Sequence, residues 1–126
     1  MKLFLFFSHK LTDEQIIDAK NSLKISEFVN LPSDLQANFS QVPAEFGENE
    51  LLNYAKSFFE YLDKNAKSED FALIQGDFGL TFLLVKFCLE NDITPLYATT
   101  KRDVVINENG LKTSIFKHVK FRKYVI

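Results

Sequence analysis

At 126 residues the chain is long enough for one compact domain and short for two. Its apolar share is ordinary for a globular protein, with 14 Phe and no Trp, and no apolar run approaches the roughly 20 residues of a membrane-spanning helix. A formal net charge of −2 argues against a protein that grips long duplex nucleic acid, which is usually basic throughout.

The first run, Lys2–Phe7 (KLFLFF), is continuously apolar and bounded by polar residues, the pattern of a buried strand. It is too short for a signal-peptide core, is followed closely by Asp13 and Glu14, and lacks a small-residue cleavage site. The single Cys88 has no disulfide partner and sits in an apolar run, so it reads as a buried thiol. Both observations point to a cytoplasmic protein.

A helix follows. Thr12 as N-cap and Gln15 three residues later make a capping box, with Leu11 and Ile16 as hydrophobic staple. This helix is expected to run to about Lys24 and to bury Ile16, Ala19 and Leu23. Ser26–Leu31 reads as a short strand. Pro32–Glu48 reads as irregular, punctuated by Pro32, Pro43 and Gly47, and a connection of that length is often functional. Glu48–Asn65 is a helix with Leu51, Leu52, Ala55, Phe58, Phe59 and Leu62 at helical spacing. Phe71–Gln75 is the next strand.

Gly79–Asn91 is a helix apolar nearly all round, interrupted by Thr81, Lys86 and Glu90, and such a helix is buried on more than one side. Its second cover is either its own chain or a partner subunit. Thr94–Ala98 is a strand. Val104–Ile106, the turn Asn107–Gly110 and Leu111–Tyr124 form an antiparallel hairpin. The order β-α-β-loop-α-β-α-β-β-β predicts one Rossmann-like α/β domain over residues 1–126. Its mostly parallel sheet would be flanked by helices and end in a C-terminal antiparallel hairpin.

Three polar clusters each follow a strand-like run: Ser8–Thr12, Gln75–Gly79 and Thr99–Arg102. Parallel strands would place all three along the carboxyl edge of the sheet, where open α/β sheets bind ligands. The clusters hold hydroxyls, an amide, glycine, histidine and cations but almost no carboxylate. That set suits a phosphate-bearing ligand better than a metal, the His and Cys spacing of a zinc site is missing, and no cofactor is called for.

Ser8, His9 and Lys10 precede the capped helix, whose N–H groups and dipole favour an anion. Ser8 can bond a phosphate oxygen, and His9 can donate or exchange a proton near neutral pH. Gln75 offers donor and acceptor to an adenine edge or a ribose hydroxyl, and Gly76 permits close approach of backbone to ligand. Asp77 reads better as a helix cap. Thr99, Thr100, Lys101 and Arg102 make a candidate phosphate clamp, two hydroxyls followed by a point cation and a forked one. In the last strand, alternation puts His118, Lys120 and Arg122 on one face, with Val119 and Phe121 on the other. Each group also has a plain reading as loop, turn or solvated face.

Charge is unevenly distributed. Residues 1–100 carry 8 Lys/Arg and 15 Asp/Glu, a net of −7, whereas residues 101–126 carry 7 and 2, a net of +5. Positive charge at one end suits a small anion or short oligonucleotide, or simply lines an exposed hairpin. Neither GxGxxG nor a Walker A loop is present, GxSxG is absent, and carboxylates are too few for a two-metal nuclease. Metal-free cleavage of a phosphodiester, or binding of one, survives.

FSHKLT (Phe7–Thr12), LPSDLQ (Leu31–Gln36), QGDFG (Gln75–Gly79), YATTKR (Tyr97–Arg102) and FKHVKFRKY (Phe116–Tyr124) resemble, in this order, the stand-alone CRISPR-associated Csx-twenty family of type III systems. The resemblance covers nearly the whole chain, and the pairing of YATTKR with a terminal FxHVxFRxY is its most specific part. It implies a CARF-related Rossmann-like fold and ring-nuclease activity on cyclic oligoadenylate, principally cyclic tetra-adenylate, which switches off antiviral signalling. On matching positions it implicates Ser8, His9, Gln75, Gly76, Thr99, Thr100, Lys101, Arg102, His118 and Arg122, without separating catalytic from binding residues.

Joined to the residue reading, the resemblance leads to metal-independent attack of a ribose 2′-hydroxyl, giving linear di-adenylate with a 2′,3′-cyclic phosphate. Lys101 and Arg102 would stabilise the phosphorane, with Ser8 beside them, and His118 or His9 would move the proton. Gln75, Gly76, Thr99, Thr100 and Arg122 would bind the ligand. A homodimer would present the edge twice to a ring of two equivalent halves. Three other classes stay open: a sponge that holds the ring uncut, a metal-dependent nuclease, and a structural protein whose basic end docks another protein.

Overall fold

The computed structural model covers residues Met1–Ile126. Its strands are β1 (Lys2–Phe7), β2 (Glu27–Asn30), β3 (Phe71–Gln75), β4 (Thr94–Ile106) and β5 (Lys112–Lys123). Its helices are α1 (Asp13–Ser22), α2 (Ser33–Ser40), α3 (Glu48–Asn65) and α4 (Phe78–Glu90). The strands form one sheet in the order β2-β1-β3-β4-β5, with β1 to β4 parallel and β5 antiparallel to β4. This is the Rossmann-like α/β arrangement, a mostly parallel sheet flanked by helices and closed by a C-terminal hairpin. No helix is long and apolar enough to cross a membrane.

The unbroken apolar character of β1 follows from cover on both faces. Leu3 and Leu5 pack with Ala19 of α1, Leu73, Leu96 and Phe121. Phe4 and Phe6 face the other way, into a larger core built by α2, α3 and α4. There Phe6, Phe39 and Phe58 form a triangle with ring centroids 6.0–6.3 Å apart, in edge and tilted geometries that aromatic quadrupoles favour. Cys88 is buried in the same core, and burial pushes its thiol up to about 12.

The capping box of α1 is present in both halves: Gln15 N–H donates to Thr12 Oγ1 at 3.2 Å and Thr12 N–H to Gln15 Oε1 at 2.9 Å. Asp77 caps α4, accepting from Leu80 N–H at 3.0 Å. At the hairpin tip Gly110 takes φ +78°, which glycine adopts without penalty, and Asn107 Oδ1 accepts from the N–H groups of Asn109 and Leu111.

Three expectations need correction. Residues 32–48 are not irregular throughout, because Ser33–Ser40 forms α2, which buries Leu35 and Phe39 four residues apart on one face. Thr94–Ala98 and Val104–Ile106 are not separate strands. They belong to one β4 that carries Thr99–Arg102 within its ladder, paired with β5 along its length. Of the two covers open for the outer side of α4, the chain itself leaves Phe78 95% exposed and Phe82 68%.

The third correction concerns β5. Thr99 pairs with Lys120 but Thr100 with His118, so a bulge leaves Val119 without a partner. One extra residue reverses the alternation. His118 therefore shares a face with Phe121, their ring centroids 4.8 Å apart, and not with Lys120 and Arg122.

Candidate functional site

After β1 the chain turns to β2 on one side, and after β3 to β4 on the other. The neighbouring carboxyl ends of β1 and β3 are thus the topological switch point, the preferred ligand crevice of such sheets. Phe7 and Gln75 are register partners there, which brings Ser8 and His9 alongside Gly76. Two of the three sequence clusters meet as expected.

α2 lies against this switch point. Gln36 Nε2 donates to the Phe7 carbonyl and to Ser40 Oγ, both at 3.1 Å, and Ser40 Oγ lies 3.1 Å from Ser8 Oγ. Ser8 is thereby fixed at the end of β1 while remaining exposed. His9 is exposed and edge-on to Phe7, with ring centroids 5.4 Å apart.

Gly76 owes its identity first to packing. A Cβ there would stand 2.6 Å from the Phe39 ring, so α2 approaches the sheet only because the side chain is missing. Gln75 also has a structural task. Beyond Leu73↔Leu96 the β3–β4 ladder ends, and Gln75 Oε1 accepts the Ala98 N–H at 2.8 Å in place of a backbone carbonyl. On the other side of the same gap the Tyr124 hydroxyl donates to the Ile74 carbonyl at 2.6 Å, and burial raises its pKa. The amide nitrogen of Gln75 stays available at the edge.

The third cluster lies differently. From Ala98 onward β4 and β5 leave the sheet as a two-stranded arm, and alternation sends Lys101 and Arg102 to opposite sides of it. Thr100 and Arg102 take the α1 side with His118, and Arg102 Nε donates to Ser114 Oγ at 3.0 Å. Lys101 takes the side of α4 with its partner Lys117. Lys120, opposite Thr99, and Arg122, opposite Tyr97, continue the same column. Thr99 Oγ1 is occupied at the bulge, donating to the Lys120 carbonyl at 2.9 Å and accepting its N–H at 3.2 Å.

Lys101, Lys117, Lys120 and Arg122 thus form a row of four cations on one face of the arm. None has a carboxylate within 4.0 Å; the chain's ion pairs are Lys2–Glu27, Lys86–Glu90 and His118–Asp18. Like charges directly opposite, as Lys101 and Lys117 are, repel each other unless an anion lies between them. Arg122 is held over the Tyr97 ring, 5.5 Å from its centroid, and donates to Tyr97 Oη at 3.1 Å. Lys117 was not singled out from sequence and Lys120 was expected beside His118; only the register shows that both extend the Lys101 row.

His118 is turned away from this row. Its side chain is 5% exposed, and Nε2 is 2.7 Å from Asp18 Oδ2 on α1. The Asp18 carboxyl is held below the ordinary carboxylate range by the Ser22 hydroxyl donating at 2.6 Å, and further by the hydrogen bond and charge of His118. No group of three His, Cys, Asp or Glu side chains stands close enough together to hold a metal ion.

No solved structure matches the chain. It is 45% identical over 126 residues to "Uncharacterized protein MJ1673" of Methanocaldococcus jannaschii, covering 98% of this chain and 96% of that relative. The family described as "Uncharacterized protein MJ1673 family" matches residues 1–122, and the chain belongs to that family.

Proposed function

We propose that the protein is a metal-independent ring nuclease of cyclic oligoadenylate, with cyclic tetra-adenylate as substrate, acting in the cytoplasm as a homodimer to end type III CRISPR signalling. The observation that carries this reading is the unpaired row Lys101, Lys117, Lys120 and Arg122 rising beside the switch-point crevice. A row of cations spaced two residues apart along a ribbon suits successive phosphates of one oligonucleotide, and the crevice offers Gln75 Nε2 and Ser8 to its bases and riboses.

In the proposed reaction a ribose 2′-oxygen attacks the adjacent phosphorus. The P–O2′ bond forms and the P–O5′ bond breaks. His9, exposed at the end of β1, takes the 2′-hydroxyl proton, and the leaving 5′-oxygen takes a proton from water. Two such cuts turn the four-membered ring into two linear di-adenylates ending in 2′,3′-cyclic phosphates. Orientation of an intramolecular nucleophile supplies roughly 7–11 kcal/mol of such a barrier, and the lysine row stabilises the charge on the phosphorane. Arg102 and His118, on the far side of the ribbon, act as positioning residues in this scheme.

The test is incubation of the purified protein with cyclic tetra-adenylate, with and without EDTA, followed by product masses and by separation of protein-bound from free ring. Linear di-adenylate in both arms supports the proposal. An intact ring retained by the protein would make it a sponge, which the same row of cations also fits. Cleavage only without EDTA would make it a metal-dependent nuclease, and no retention would remove cyclic oligoadenylate as ligand.

A further inference from the structure

Two surfaces of the chain have no cover. One is a groove of about 850 Å³ on the outer side of α4, lined by Phe78, Phe82, Val85, Leu89, Val125 and Ile126 among others. Phe78, Phe82, Val85 and Leu89 follow a 4-3-4 spacing, which makes a continuous seam along the helix. The other is the arm of β4 and β5. Its α1-side face carries Val104, Ile106 and Phe116, 55%, 62% and 65% exposed. An isolated two-stranded ribbon is marginal in water, and apolar surface gathered in this way marks an interaction site.

The chain cannot close these surfaces on each other. The arm continues β4 beyond the carboxyl edge with its apolar face on the α1 side, while α4 packs on the other face of the sheet and runs back from that edge. A second copy turned head to tail reverses this relation. The arm beyond Ala98 is about 27 Å long at about 3.4 Å per residue, and α4 is about 20 Å long at about 1.5 Å per residue, so one spans the other.

The apolar face of the arm bears the cations Arg102 and Lys112 and no carboxylate, whereas the groove is lined by Glu90, its one carboxylate side chain, and by Lys86, 4.0 Å from it. At larger scale the end that carries the arm is net +5, and the body that would receive it net −7.

We propose that two copies of this chain embrace reciprocally. The Val104–Ile106–Phe116 face of each arm lies in the Phe78–Phe82–Val85–Leu89 groove of the other copy, with Arg102 next to the second copy's Glu90. One twofold axis makes both contacts, so the interface closes on itself and no filament results. The opposite face of each arm keeps its lysine row in solvent. This arrangement does not depend on the identity of the ligand.

Light scattering after size exclusion measures it, with Phe82→Glu and Phe116→Glu as variants and circular dichroism as the control for folding. The wild-type chain is expected at dimer mass and each variant at monomer mass with an unchanged spectrum. A second measurement uses variants with one added cysteine, since the buried Cys88 stays out of reach. Phe82→Cys mixed with Phe116→Cys is expected to give a mixed disulfide dimer on oxidation, with little from either alone. A monomeric wild-type chain overturns the proposal. So does self-linking of Phe82→Cys together with a dimeric Phe116→Glu, which would place α4 against α4.

Discussion

His118 Nε2 and Asp18 Oδ2 lie 2.7 Å apart although 100 residues separate them in the chain, and this contact ties the base of the β4–β5 arm to α1. His118 Nδ1 is buried without a partner, so the ring is anchored by one nitrogen only. The arrangement resembles a general-base pair, but the ring is too enclosed to meet a ligand at the edge. His118→Ala is expected to cost about 1.5–3 kcal/mol, the range for a hydrogen bond to a charged group. Urea denaturation reads the loss, and amide exchange should quicken from Thr100 outward while the core strands stay protected. In a ring-cleavage assay, His9→Ala should slow the reaction about a hundred- to ten-thousand-fold, well beyond the effect of His118→Ala.

The same contact sets a dependence on acid. Asp18 titrates below its ordinary value of 3.8 because Ser22 and then His118 favour its ionised form. A depressed carboxyl contributes stability that is complete above the unfolded value and is lost as pH falls through the folded one. Thermal melts taken downward from about pH 5 should show the wild-type chain losing stability below pH 3.8 more steeply than Asp18→Asn. Parallel slopes would remove Asp18 from the acid response.

Gly76→Ala puts a methyl 2.6 Å from the Phe39 ring. Overpacking of this kind costs about 1–3 kcal/mol, and it should loosen α2 from the Ser8–Ser40–Gln36 network. The double variant Gly76→Ala, Phe39→Leu should be less destabilised than the sum of its parts, because the smaller side chain yields the space. Strict additivity in urea midpoints would mean that the two residues do not meet.

Gln75 can be divided into its two tasks. Gln75→Leu leaves the Ala98 N–H without its acceptor and should cost about 1–3 kcal/mol. Gln75→Glu keeps an oxygen for that N–H but places negative charge in the crevice. It should therefore keep the thermal midpoint near wild type while weakening retention of cyclic tetra-adenylate. Equal destabilisation by both variants would show that the acceptor is not what matters.

The parts of the fold that bury a regular stripe or run were legible in the sequence. β1, β3, α3 and the capping box of α1 all carry such signals and lie where periodicity puts them. α2 was missed because eight residues with Leu35 and Phe39 as their buried pair give too little periodicity, and two prolines nearby read as loop. The arm was misread for a physical reason. Beyond Ala98 α1 covers only His118 at the base of the ribbon and no layer covers the rest, so Thr99–Arg102 shows none of the apolar alternation that identifies a strand. The bulge at Val119 cannot be seen in any pattern, yet it decides that His118 faces α1. The site was legible where it consists of strand ends, at Ser8, His9, Gln75 and Gly76. It was not legible where it consists of register, as in the facing of Lys101 and Lys117.

The most direct measurement compares cyclic tetra-adenylate with its 2′-deoxy counterpart in EDTA, scoring retention and cleavage for each. The account predicts that both rings are retained and that only the ribose ring is cut, to linear di-adenylate ending in a 2′,3′-cyclic phosphate. Cleavage of the deoxy ring would mean that water attacks in place of the ribose hydroxyl, and an intact ribose ring would mean that the protein does not cut it at all. Either result contradicts the proposed chemistry.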